Sequence, residues 1–308
     1  MLRRLRGRDY LTLKDITPEE FRALVLRSLD HKRGLVSGAP LAGKHVAGIF
    51  EKPSTRTRVS FAVATSSLGG VFLNLPKEAL QISRGETLKD TALVLSRFVD
   101  AIAARVKSHD TLVELARWAD VPVINLLSDR YHPLQALADV MTIVENFGER
   151  KVDVAFVGDG SANTCASLMF ASVLMGYNFR VGAPEGYMPR EDDLKFAERL
   201  AKLTGSEISL TENPKEAVKD AHVIYTDTWF SMGVSDIDKR KEVFPPYQVN
   251  SELLRAASPD VIVMHCQPWF LGQEITEEVA YGPRSRAFDE AENRLHTSKA
   301  VLEALLGL

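Results

Sequence analysis

Short apolar runs alternate with longer amphipathic stretches along most of the chain. A short apolar run between turn residues predicts a buried strand, and apolar residues at every third or fourth position predict a helix. In the first half, strands are predicted at 45–50, 71–75, 101–104 and 121–126, and helices at 18–30, 88–98, 111–118 and 133–147. In the second half, strands are predicted at 152–157, 179–183, 207–210, 223–226 and 261–264, and a last helix at 291–306. This alternation predicts an α/β fold with two parallel sheets, each covered by helices on both faces.

The turn after the helix 133–147 marks a boundary between the two alternations. Pro133 stands at its first position and Gly148 follows its last, and these residue types favour a helix start and a helix stop. At 308 residues the chain is also long for one hydrophobic core. We therefore predict two domains, residues 1–148 and 149–290, followed by a C-terminal helix from residue 291.

Composition and charge narrow the class of protein. Hydrophobic residues make up 45% and charged residues 26% of the chain, as in soluble globular proteins. A net charge of -3 and a pI near 6.2 argue against a nucleic-acid partner. Cys165 and Cys266 form no disulfide framework and no paired metal-ligand spacing, and no long apolar run follows the basic N-terminus. We expect a cytoplasmic protein without a membrane segment or a metal.

The polar segment after the first predicted strand has the features of a phosphate site. With Ser54 as N-cap, Thr55, Arg56 and Thr57 lie in the first turn of a helix, where backbone amides have no intrahelical partner. The helix dipole, two hydroxyls and a guanidinium all favour a phosphate there. Arg58 lies about 200° around the helix from Arg56, so we predict Arg56 on the ligand and Arg58 in a structural role. The alternative is an ordinary capped helix with solvated arginines.

Two further polar segments follow predicted strands, where ligands bind in parallel sheets. His132 precedes Pro133 and is predicted as a helix cap, with Gln135 in the first turn; a lone histidine there is most often only a cap. Residues 158–163 imitate a dinucleotide fingerprint, but Asn163 replaces its third glycine and no acidic residue stands at the ribose position. A turn that presents Asn163 to a polar substrate is therefore favoured over a cofactor site.

Two more strand ends carry candidate chemistry. Asp227 and Ser231 can project into a cleft, and the alternative is a surface loop with a buried Trp229. His265 and Cys266 are neighbours on a strand, where side chains alternate between faces, so a histidine-activated cysteine nucleophile is disfavoured. A buried, inert cysteine is the commoner case.

Arg105 follows a strand and Arg294 lies near the start of the last helix. Each suits either an ion pair or an anion clamp. A dehydrogenase of the Rossmann type and a non-catalytic two-domain binder remain alternatives from other functional classes. The missing third glycine argues against a dehydrogenase. A protein that only binds its ligand would not need Cys266 and His132 in one cleft.

Together these segments resemble the aspartate/ornithine transcarbamoylase family. The segments 54–58 and 132–135, with Arg105 between them, resemble its two carbamoyl phosphate motifs. Asp227 with Ser231-Met232-Gly233, and the segment 265–268, resemble the ornithine-specific members rather than the aspartate-specific ones. One departure is Gln267, where the family usually has leucine.

The resemblance implies the reaction, the assembly and the division of the chain. The δ-amine of L-ornithine attacks carbamoyl phosphate to give L-citrulline and phosphate in arginine biosynthesis, with no cofactor. The domain 1–148, on which the C-terminal helix 291–308 packs back, binds carbamoyl phosphate, and the domain 149–290 binds ornithine. The protein is expected to form a homotrimer, or a multiple of trimers, in which Gln81 reaches a neighbour's site. Putrescine and an acylated ornithine are the alternative acceptors.

The resemblance also implies a role for each site residue. Catalytic roles fall to Arg105, His132, Asp227 and Cys266. Carbamoyl phosphate is bound by Ser54, Thr55, Arg56, Thr57, Gln81, Arg105, His132, Gln135, Cys266, Gln267 and Arg294. Ornithine is bound by Asn163, Asp227, Ser231 and Met232.

Overall fold

The computed structural model of the protein describes residues 1–230 and 235–307. The chain forms two compact units, the first comprising Met1–Met141 with Glu292–Leu308 and the second Thr142–Ala291. The division falls inside the helix Pro133–Phe147. The domain boundary expected at residue 148 lies just after this helix and stays a prediction.

The first unit contains a parallel sheet of four strands in the order β2-β1-β3-β4. Its strands are β1 His45–Phe50, β2 Val71–Pro76, β3 Ala101–Arg105 and β4 Val123–Leu127. Its helices are α1 Pro18–Lys32, α2 Arg56–Ser67, α3 Leu88–Leu95 and α4 His109–Trp118, followed by α5 Pro133–Phe147, which runs on into the second unit. The core lies where β3, buried over residues 101–104, meets the helices.

Local sequence explains where these helices begin and end. Thr17 and Glu20 form a reciprocal capping box at the start of α1, which satisfies two amide donors. Pro133 opens α5, and Gly148 closes it with a φ of +67°. A left-handed φ carries no steric penalty only for glycine, so the stop signal is physical.

The second unit contains a parallel sheet of five strands in the order β7-β6-β5-β8-β9. Its strands are β5 Asp153–Val157, β6 Asn178–Gly182, β7 Ile208–Thr211, β8 Val223–Tyr225 and β9 Ile262–Met264. Its helices are α6 Asn163–Leu174, α7 Glu191–Thr204, α8 Pro214–Ala217, α9 Ile237–Val243, α10 Ser251–Leu254 and α11 Glu277–Ala280.

The C-terminal helix α12, Ala287–Leu302, ends in a π-helical turn and packs on helix α1. Arg27 donates to Glu303 at 2.7 Å and 2.5 Å, and His31 lies 3.0 Å from the same carboxylate. Burial opposes ionisation of Glu303, but the hydrogen bonds from Arg27 and His31 outweigh it and lower its pKa to about 2. The expected return of this helix to the first domain is confirmed.

Both sheets reverse their direction of winding at an inner strand. β1 lies between β2 and β3, and β5 lies between β6 and β8. In open parallel sheets, ligands bind at the carboxyl ends of strands beside such a switch point. The α/β fold with two parallel sheets is confirmed, and each sheet provides one such edge. Among the described residues, no helix has both the length and the apolar character needed to cross a membrane.

Candidate active site

The edge of the first sheet carries the start of helix α2. The helix begins at Arg56 with Thr55 as its cap residue, so Ser54, the predicted N-cap, lies one position before the cap. The cap side chain accepts no hydrogen bond from the described helix, whose first amides have no intrahelical partner. This helix end therefore offers backbone donors and the positive end of a dipole to an anion.

Arg56 and Arg58 differ in the way that the helical geometry predicts. The guanidinium of Arg58 lies over the ring of Phe50, 4.6 Å from its centroid, so it packs against the end of β1. No residue in the described part of the chain forms a hydrogen bond or ion pair with the Arg56 side chain. A guanidinium in the first helical turn is thus available to a ligand.

Two more guanidinium groups converge on Thr57. Arg294 Nη2 donates to Thr57 Oγ1 at 2.5 Å, and Arg105 Nη1 donates to the same oxygen at 3.4 Å. Arg105 ends β3 and pairs in register with Phe50, which places it at the switch point of the sheet. Thr57 and Arg294 are both buried. The cluster concentrates positive charge at a buried site, where reduced screening by water strengthens the attraction of an anionic ligand.

His132 lies beside these arginines and caps helix α5 through its carbonyl, which accepts from the amides of Gln135 and Ala136. Burial, and then the charges of Arg294 and Arg105, hold the pKa of His132 well below its ordinary value. At neutral pH the imidazole is therefore neutral and can donate a single hydrogen bond. The Gln135 amide is oriented by its own hydrogen bond to Asp139, at 2.9 Å.

The edge of the second sheet carries Asp227, just after β8. Its carboxylate accepts hydrogen bonds from Thr164 Oγ1 at 2.9 Å, the Thr228 amide at 2.8 Å and Cys266 Sγ at 3.4 Å. An ionised carboxylate offers about four acceptor positions. The described residues therefore leave room for one further donor, such as an ammonium group.

Cys266 and His265 occupy separate hydrogen-bond networks. The Cys266 thiol donates to Asp227. The Gln267 amide donates to His265 Nδ1 at 2.9 Å, so Nε2 carries the proton and donates to Glu274 at 3.1 Å. Because both ring nitrogens already form hydrogen bonds to other groups, His265 is not the base for Cys266.

The prediction that His265 and Cys266 are neighbours on a strand was wrong, although His265 is still not the base for Cys266. β9 ends at Met264, so His265 and Cys266 lie beyond the strand, and their side chains need not point to opposite faces. Donor atoms of Asp227, His265 and Cys266 in fact lie within 4.8 Å of one another. A metal would have to displace one of the two His265 hydrogen bonds and the hydrogen bond of the Cys266 thiol to Asp227, so the donor set does not favour one.

The remaining predicted residues are placed as follows. Asn163 opens helix α6 and is half-buried. Gln81 is exposed in the 3₁₀ turn Gln81–Arg84. Gln267 has a φ of +56° and precedes Pro268 in a cis peptide. Ser231 and Met232 lie outside the described residues.

Two family models match the chain over nearly its whole length. Residues 8–145 match the carbamoyl-P binding domain of aspartate/ornithine carbamoyltransferase, and residues 150–305 match its Asp/Orn binding domain. The chain belongs to the aspartate/ornithine carbamoyltransferase family. The family expected from the motifs is therefore confirmed.

Individual relatives point to one branch of this family. A protein from Pyrococcus horikoshii named ornithine carbamoyltransferase is 51% identical, covering 98% of this chain and 97% of the relative. One from Pyrococcus furiosus, named anabolic ornithine carbamoyltransferase, is 50% identical, covering 98% of each chain. A solved structure of ornithine carbamoyltransferase from Pyrococcus furiosus superposes with a TM-score of 0.94 at 48% identity, covering 98% of both chains.

The sequence analysis did not predict several polar residues that lie beside the clusters around Thr57 and Asp227. Thr164 binds Asp227, and Glu290 accepts from the His265 amide at 3.0 Å. Burial and then the charge of Arg105 lower the pKa of Lys52, which places another cation near the first cluster. Thr164 follows Asn163 directly and was within reach of sequence reasoning. The others carry no local signal, because their partners are distant in the sequence.

Proposed function

We propose that the protein is an ornithine carbamoyltransferase, which transfers the carbamoyl group of carbamoyl phosphate to the δ-amine of L-ornithine. The products are L-citrulline and phosphate, as in arginine biosynthesis. The observation that carries the choice of acceptor is the buried Asp227 carboxylate, on which the described residues leave one acceptor position. A carboxylate there attracts the α-ammonium of ornithine and has no complementary charge for the second carboxylate of aspartate.

Carbamoyl phosphate is assigned to the first domain, which we take as residues 1–148 with helix 291–308. The phosphate lies at the first turn of α2, on Ser54, Thr55, Arg56 and Thr57. The carbamoyl end faces Arg105, His132, Gln135 and Arg294. The convergence of Arg105 and Arg294 on Thr57, at 3.4 Å and 2.5 Å, supports this assignment because it concentrates charge where the dianion binds.

Ornithine is assigned to the second domain, which we take as residues 149–290. Asp227 pairs with the α-ammonium group, and Asn163, at the start of α6, binds the same end of the substrate. The assignment of Ser231 and Met232 rests on their motif alone. The Cys266 thiol donates to Asp227 at 3.4 Å, which places it beside the carboxylate that pairs with the substrate.

The chemistry follows from charge and protonation. The uncharged δ-amine attacks the carbamoyl carbon and a tetrahedral intermediate forms. The carbon–oxygen bond to phosphate then breaks, phosphate leaves with the bonding electron pair, and the attacking nitrogen loses one proton to the departing phosphate. His132 is neutral, so it donates a hydrogen bond to the developing oxyanion, while Arg105 stabilises its charge. No redox change occurs, so we propose neither a cofactor nor a metal. Catalysis is then positioning and electrostatic stabilisation.

The function is tested by measuring citrulline formation from carbamoyl phosphate and ornithine. Putrescine, aspartate and acetylornithine are compared as acceptors under the same conditions. Ornithine is expected to give the highest kcat/KM. A preference for putrescine, acetylornithine or aspartate would contradict the assignment of the second domain, and binding of NAD would favour the dehydrogenase alternative.

Turnover of the Cys266→Ser variant is expected to be slower but detectable, by about 10- to 100-fold. A serine hydroxyl can still donate to Asp227, but the length and strength of that hydrogen bond change. If the Cys266 side chain orients the amine, this role is therefore weakened and not lost. A covalent nucleophile, by contrast, would be indispensable. Steady-state citrulline assays measure the effect. Isolation of a carbamoyl-cysteine intermediate by mass spectrometry would refute this role.

We propose that the protein assembles as a homotrimer, or a multiple of trimers, in the cytoplasm. β2 is an edge strand, and Val71 and Leu73 on it are 47% and 38% exposed. Val59 on α2 and Phe98 after α3 are 56% and 72% exposed. Strands of parallel sheets are normally covered on both faces, so these apolar side chains fit a subunit interface. The cytoplasmic location rests on the cysteine usage of the sequence, which contains only Cys165 and Cys266.

If Gln81 serves a neighbour's site, inactive subunits should complement each other. Mixing Gln81→Ala with Arg56→Ala subunits after mild dissociation is expected to restore citrulline formation, because some sites combine an intact Arg56 with a neighbour's intact Gln81. Mixing Arg56→Ala with Asp227→Asn is the control, since both changes affect the same subunit's site. Sedimentation as a monomer, or equal activity in the two mixtures, would rule out a shared site.

A further inference from the structure

A buried arginine in the second unit, Arg240, binds three separate parts of the chain at once. Its Nη1 donates to Asp159 Oδ2 at 2.7 Å and to the Trp229 carbonyl at 2.8 Å. Its Nε donates to Asp236 Oδ1, also at 2.8 Å. The side chain of Arg240 is only 8% exposed, although it lies in a run of charged residues on helix α9.

The contacts of Arg240 bracket the segment that carries predicted ornithine ligands. Trp229 follows Asp227 by two positions, and Asp236 follows the segment 231–234, so one guanidinium fixes the chain on both sides of that segment. Neither contact is needed to complete the sheet, since β8 ends at Tyr225. The bonds therefore set the path of a connection and not that of the sheet.

The third contact reaches the loop before helix α6. Asp159 also accepts hydrogen bonds from the amide and hydroxyl of Ser161, at 3.0 Å and 2.6 Å. Asn163 begins α6 two residues later. Arg240 thus ties the turn that presents Asn163 to the segment that begins at Asp227.

Aromatic packing holds the guanidinium in one orientation. Its carbon lies 4.8 Å from the ring centroid of Tyr187, whose hydroxyl donates to Asp236 at 2.5 Å. Trp229 stacks on Phe244 at 5.6 Å, and Tyr187 packs edge-on against the same ring. A lysine at this position has one nitrogen and no planar fork, so it cannot reproduce the three bonds.

We propose that Arg240 is a positioning residue for the amino-acid substrate, because it holds the turn before Asn163 and the segment from Asp227 to Trp229 in their binding arrangement. This inference rests on the proposed function. Without the guanidinium, only a fraction of the free enzyme has both segments in place, and the apparent affinity for ornithine falls by that fraction. Saturating ornithine restores the arrangement, so kcat falls much less than KM rises.

The experiment compares Arg240→Lys and Arg240→Gln with the unchanged protein. We expect KM for ornithine to rise about tenfold in the lysine variant and more in the glutamine variant, while kcat changes less than about threefold. The Kd of carbamoyl phosphate should stay unchanged. Asp159→Asn removes one of the three partners, and its effect on KM should not add to that of Arg240→Gln.

A destabilised core serves as the matched control. Leu253 is buried in the same unit, and Leu253→Ala should lower the melting temperature and leave KM for ornithine unchanged. If Arg240→Lys folds and keeps the ornithine KM, or if it only lowers the melting temperature as Leu253→Ala does, Arg240 is merely structural. If the unchanged protein makes no citrulline from ornithine, the proposed function fails and this inference with it.

Discussion

Carbamoyl phosphate is expected to bind the Arg56→Ala variant more weakly by about 2–5 kcal/mol, the usual cost of losing a charge-assisted contact to a desolvated partner. Arg56 occupies the first turn of α2, where the backbone donors and the helix dipole already favour an anion. No described residue engages its guanidinium. Removing it therefore deletes a ligand contact without breaking an internal one, and the protein should remain folded. Calorimetric titration with carbamoyl phosphate measures the loss.

The matched control for this prediction is two residues away. Arg58→Ala removes the same charge from the same helix, but its guanidinium packs on Phe50. It should keep the carbamoyl phosphate Kd within about threefold while losing some packing free energy. If the two variants bind equally, a general electrostatic field, and not a specific contact of Arg56, accounts for affinity. Unchanged affinity in Arg56→Ala would leave only the capped-helix alternative.

Asp227→Asn is expected to lower kcat/KM for ornithine by about 30- to 1,000-fold, which corresponds to about 2–4 kcal/mol. Asparagine keeps the shape and an oxygen that can accept from Cys266 or Thr228, but it carries no charge for the α-ammonium. A carboxylate close to the phosphate dianion would repel it, and for this reason we assign Asp227 to the amino acid. Equilibrium binding of carbamoyl phosphate should therefore change little.

A second amine sharpens the test of Asp227. Putrescine is ornithine without its α-carboxylate and keeps an ammonium group at the same distance from the reacting amine, so the substitution should lower kcat/KM for both amines if Asp227 binds that ammonium. Asp238→Asn makes the same chemical change on helix α9, at a side chain that is 98% exposed, and should leave both activities unaltered. Loss of carbamoyl phosphate binding with an unchanged ornithine KM would show that Asp227 does not serve the amino-acid end.

The sequence by itself determined the architecture and the location of the candidate chemistry. Strand and helix periods are local properties, so nearly every predicted element occurs, and α5 has the predicted bounds 133–147 because proline and glycine act on their own backbone. Polar residues after strands meet at one edge in any parallel sheet. This is why positions such as Asn163, Asp227 and Cys266 could be singled out without a structure.

Only the tertiary structure decided which of these side chains act together. The bonds to Thr57 come from Arg105 and Arg294, which lie 48 and 237 positions away, and no periodicity carries such a pairing. Arg240 lies in a run of charged residues, a pattern that is typical of solvated side chains. In the structure its hydrogen-bond partners bury it. Local patterns specify backbone geometry and which face is apolar. The partner of a charged group, and with it the neutral state of His132, depends on packing between segments that are far apart in the chain.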